Sequence, residues 1–63
     1  MIENINITIE LTQDQAMSLA QFCKRIGFSD VRIKASNNDA AYEMLDGLNQ
    51  LAKSLSNAGY SPR

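Results

Sequence analysis

The chain has 63 residues, 44% of them apolar, and six Lys or Arg against seven Asp or Glu leave a net charge of −1. One small domain of this length buries only about 60% of its unfolded surface and needs a staple or a partner, yet the single cysteine, Cys23, excludes an internal disulfide and the lack of histidine argues against a structural zinc site. The near-neutral balance supplies no long-range field toward phosphate backbones, and with no apolar run of about 18 residues and no basic leader, neither a membrane span nor a signal peptide is expected; the cytoplasm is the default and self-association the expected source of stability.

Residues 1–11 read as a β-strand, because Ile5, Ile7, Ile9 and Leu11 alternate with Asn6, Thr8 and Glu10. No hairpin turn follows, so its ladder partner has to come from elsewhere, and the same strand of a second subunit, antiparallel about a two-fold axis, is the expected one. Thr12-Gln13-Asp14-Gln15 then has the form of a capping box and opens a helix. Ala16, Leu19, Ala20, Cys23 and Ile26 share its inner face, Phe22 lies at the margin, and Lys24 and Arg25 fall in the last turn. Gly27 is read as its stop, with Phe28 as the apolar contact that follows such a glycine.

Residues 29–35 fit two templates. Val31, Ile33 and Ala35 alternate with Arg32 and Lys34 as in a strand, while Phe28, Val31 and Ala35 also match helical spacing. A short helix is preferred, since Ser29-Asp30 resembles an N-cap pattern and a two-stranded parallel sheet would be a poor product of the other choice. After the break at Ser36-Asn37-Asn38, the apolar residues Ala41, Met44, Leu45, Leu48, Leu51, Ala52 and Leu55 mark one face of a long helix from about Asp39 to Ala58. Ser36, Asn37 or Asn38 is available as its N-cap, and Gly59-Tyr60 is placed for a Schellman-type stop. The fold class expected is therefore α+β: strand, helix, short helix or second strand, and long C-terminal helix, with the strand paired across a homodimer.

No pattern carries a reaction. Cys23 lies mid-helix on the apolar face with no histidine to act as base, so it is read as a small buried hydrophobe. Glu43 and Asp46 sit on a solvated helix face, where a carboxylate pair has ordinary acidity. No catalytic residue, cofactor or metal is assigned. Gly47, in a helix interior, either permits the close approach of another helix or is simply a tolerated cost. The basic cluster Lys24, Arg25, Arg32 and Lys34, together with Tyr42, Tyr60 and the terminal Arg63, makes up the candidate protein-binding set.

Ile5-Asn6-Ile7-Thr8-Ile9-Glu10-Leu11-Thr12, then Leu19 and Phe22, then Gly27-Phe28-Ser29, together resemble the ribbon-helix-helix family of dimeric DNA-binding repressors. That resemblance implies a ribbon whose polar residues Asn4, Asn6 and Thr8 enter the major groove, with Ser29 near a phosphate. The segments Asn38-Asp39-Ala40-Ala41-Tyr42-Glu43 and Ala58-Gly59-Tyr60-Ser61-Pro62-Arg63 are also similar to short proteins of proteobacteria and their phages or plasmids, which implies an accessory gene. No Lys or Arg lies on or before the ribbon, and Glu3 and Glu10 flank it. The first expectation is thus a non-catalytic homodimeric binding module, a small regulator or inhibitor acting on an unidentified protein. DNA binding is the alternative.

Overall fold

The computed structural model describes residues 3–61, and among these the only regular elements are α1 (Gln13–Arg25), α2 (Phe28–Lys34) and α3 (Asn38–Asn57). The α+β expectation is corrected accordingly: residues 3–12 form neither strand nor helix, no sheet is present among the described residues, and every residue from 3 to 12 is exposed. Alternation encodes one apolar face, but a strand exists only when a neighbouring segment satisfies its backbone donors and acceptors. The rest of this chain folds into helices that satisfy their own, so none is left to pair. The segment is an arm.

The capping box closes as the residue types demand. The Thr12 hydroxyl accepts from the Gln15 amide at 3.1 Å, and the Gln15 side-chain oxygen accepts from the Thr12 amide at 3.0 Å. The end of α1 departs from the expectation. Its cap is Ile26 in extended backbone (φ −72, ψ 133), and Gly27 stays at φ −111, outside the left-handed region a glycine stop uses. Gly27 instead caps the next helix, where the Asp30 carboxylate accepts from its amide at 3.0 Å. The cap of α2 is thus Gly27, not Ser29, and the short-helix preference for this stretch holds.

The start of α3 is capped by Asn37, whose side-chain oxygen accepts from the Ala40 amide at 2.8 Å. The last turn of α2 is tied to this start by Arg32, which donates from Nε to Asn38 Oδ1 at 2.7 Å and from its guanidinium to the Ala35 carbonyl at 3.2 Å. At the other end, Tyr60 donates to the Leu55 carbonyl at 2.8 Å and Gly59 to that of Ser56 at 3.0 Å. With Gly59 at φ +101, these two bonds are a Schellman motif.

α3 packs against both α1 and α2, which do not pack on each other. Ala16 and Ala20 of α1 meet Leu55, with Leu19, Leu51 and Tyr60 against them. Val31 and Ala41 are the other buried apolar residues, so three of the five core side chains are alanines. An alanine removes far less surface from water than the roughly 1.5–3 kcal/mol worth of a buried leucine or isoleucine. The large side chains lie outside: Ile5, Ile7 and Ile33 are more than 70% exposed. The chain exposes 5519 Å², against roughly 4,000 Å² for a compact monomer of its 7.0 kDa mass. Its radius of gyration, 12.6 Å, exceeds the roughly 11 Å of a close-packed chain of this length.

Candidate functional site

Three helix faces converge on an open apolar cleft of about 450 Å³. From α1 and its C-cap come Phe22 and Ile26; from α2, Asp30, Val31 and Lys34; and from α3, Met44, Gly47, Leu48 and Leu51. The α3 residues follow the spacing of one helical stripe, which the chain only partly covers. Phe22 is 51% and Met44 45% exposed, so the cleft walls are wet in the isolated chain. Gly47 faces open space, since a methyl group placed on it would meet nothing within 4 Å. No helix of this chain approaches there. Asp30 and Lys34 are the charged residues at the cleft.

The expected protein-binding residues are scattered relative to this cleft. Lys34 lines it. Lys24 and Arg25 are exposed in the last turn of α1, while Arg32 is half-buried and engaged in holding the α2–α3 junction. Tyr42 is 57% exposed, and its ring lies against Phe28 with centroids 4.8 Å apart and planes inclined by 32°. That contact braces α2 on α3. Tyr60 is half-buried against the α1–α3 core, as the Schellman stop requires. Arg63 lies outside the described residues. Asn4, Asn6 and Thr8 are exposed along the arm, and Ser29 is exposed in the first turn of α2. The fold does not bring them to a shared ladder.

Cys23 is half-buried on α1, and burial pushes its thiol above the ordinary range, away from the thiolate that nucleophilic chemistry needs. No three of His, Cys, Asp and Glu gather among the described residues, and no helix is long and apolar enough to cross a membrane. Glu43 and Asp46 stand exposed on α3. The apolar walls of the cleft are suited to an apolar surface.

Periodicity puts the cleft residues Ile26, Met44, Leu48 and Leu51 on apolar helix faces, but it cannot tell a covered stripe from an open one. The one signal in the sequence was Gly47, a glycine kept beside the apolar stripe. Residues 1–63 match the family of unknown function DUF7706. No curated protein and no solved structure matches the chain.

Proposed function

The protein belongs to the DUF7706 family, and from that premise, which assigns no activity, we propose that it is a non-catalytic binding module, a small regulator or inhibitor working through protein–protein contacts at the cleft between α1, α2 and α3. The observation that carries this reading is the mismatch between a core built largely of alanine and a cleft walled by Phe22, Ile26, Met44, Leu48 and Leu51 that the chain leaves open. Apolar surface of this kind, with a charged residue at its edge, marks an interaction site on a small domain. Its volume suits a small molecule as well. However, sites for small molecules place several polar groups to fix orientation, and here Asp30 and Lys34 are the charged groups present. An apolar polypeptide segment makes fewer such demands.

The DNA-reading alternative would need Asn4, Asn6 and Thr8 held in a ribbon, and these residues are instead exposed on the arm. No observation favours it over the cleft. The test uses the wild-type chain and a Met44→Glu variant as baits in lysate of the native host. Met44 is exposed, so the variant keeps its helical circular dichroism. A protein recovered in stoichiometric amount by the wild type and lost with Met44→Glu supports the reading. Equal recovery by both baits overturns the cleft as the site.

A further inference from the structure

Resting on the cleft reading, we infer that the cleft's occupant is the isoleucine arm of a second copy of this chain, so that two molecules exchange arms and complete each other. The arm and the cleft are complementary in chemistry. Ile5, Ile7 and Ile9 are 78%, 74% and 56% exposed and carry the apolar matter the cleft lacks. The arm holds Glu3 and Glu10 and no basic residue, and of the two charged residues that line the cleft, Asp30 and Lys34, Lys34 is the one that can pair with it.

The dimensions agree as well. In extended backbone, side chains two apart share a face, so Ile5 to Ile9 would span about 13 Å. Met44 to Leu51 runs about 10 Å along α3. An extended segment laid in an open cleft keeps its backbone edges in water, so it needs no ladder to satisfy them.

The arm's connection to α1 favours a second copy over its own cleft. It enters α1 at Thr12, where the capping box holds the residue in extended backbone (φ −68, ψ 163), whereas Phe22 and Ile26 lie at the other end of that helix. To fold back, the chain would have to reverse at Thr8-Ile9-Glu10-Leu11. None of these is a turn former, and the isoleucine and threonine resist the required backbone angles. The excess of exposed surface also fits. The chain's 5519 Å² stands roughly 1,500 Å² above the compact expectation, and a standard interface removes about 800 Å² per partner.

Sedimentation equilibrium of the full chain should give a dimer of twice its 7.0 kDa mass. Ile7→Glu should leave helical circular dichroism unchanged, because Ile7 touches little in its own chain. It should weaken dimerisation about 100-fold or more, since two buried isoleucines are lost per dimer. To locate the arm, an Ile7→Cys, Cys23→Ala chain is mixed with a Met44→Cys, Cys23→Ala chain and treated with a short bismaleimide. A cross-linked pair is the expected product. An unchanged sedimentation profile for Ile7→Glu, or no cross-linked pair between the two chains, would overturn the inference. Either result leaves the Met44→Glu bait comparison intact, so failure of the arm exchange and failure of the cleft reading are told apart.

Discussion

Gly47→Ala measures directly whether the cleft floor is vacant in the folded chain. Gly47 lies in the interior of α3, and glycine there costs about 0.8–1 kcal/mol relative to alanine because the unfolded chain loses more freedom at that position. A new methyl group usually offsets part of this gain by crowding a neighbour. Here it would meet nothing within 4 Å, so the full gain is expected. For a 63-residue domain the unfolding entropy is about 130 cal/mol/K, and a gain of about 1 kcal/mol raises the midpoint of thermal unfolding by roughly 6–8 °C. Far-ultraviolet circular dichroism at high dilution, where dimers do not contribute, reads this shift. A midpoint that stays put or falls would refute the vacancy. Repeating the melt at high concentration tests the proposed arm exchange as well, because a second copy's arm lying across Gly47 would meet the new methyl group and shrink the gain.

Gly59→Ala tests the other end of the same helix and should act in the opposite direction. Its φ of +101 is a conformation that an alanine tolerates poorly, and no neighbour lies within 4 Å, so a loss of about 1–2 kcal/mol from backbone strain alone is expected; an unchanged urea midpoint would contradict it. Cys23 should be alkylated by iodoacetamide more slowly in the folded chain than in urea at the same mildly alkaline pH, because burial raises its thiol above the ordinary range. The linkage has a definite sign. A folded value above the unfolded one means that stability is fully present below the thiol's unfolded range and is lost as pH rises through the folded range, so Cys23→Ala should flatten the alkaline decline in unfolding free energy.

What could be read in the sequence was what is decided within a few residues. Thr12 with Gln15, Asn37 with Ala40, and Gly59 with Tyr60 each form a cap from neighbours along the chain, the first and last where the residue types pointed and Asn37 as one of the three candidates Ser36, Asn37 and Asn38. Gly27 shows how local reading can still choose wrongly. A glycine after one helix and before another can serve either, and the deciding partner was Asp30, three residues on, whose carboxylate claims the Gly27 amide. The arm failed for a different reason. Alternation at Ile5, Ile7 and Ile9 specifies an apolar face, whereas a strand also needs a neighbour, and pairing is a property of the assembly rather than of the segment. The cleft was hidden likewise. Periodicity placed Ile26, Met44, Leu48 and Leu51 on apolar faces and Phe22 at a margin, but whether those faces close depends on how α3 is shared between α1 and α2, which no stretch of sequence encodes alone.

Because α1 and α2 each lean on α3 and not on one another, a disturbance at one flank reaches the other either along the backbone link at Ile26-Gly27 or through the packing of α3. Its amides should be the slowest to exchange with deuterated solvent, while either flank can open without dragging its counterpart along. Through packing, a ligand wedged against Val31 would be felt at Ala16 as a tilt or slide of the shared rod. The corner between α2 and α3 at residues 35–37 is braced against such motion by the Arg32 guanidinium, which bonds both Asn38 and the Ala35 carbonyl.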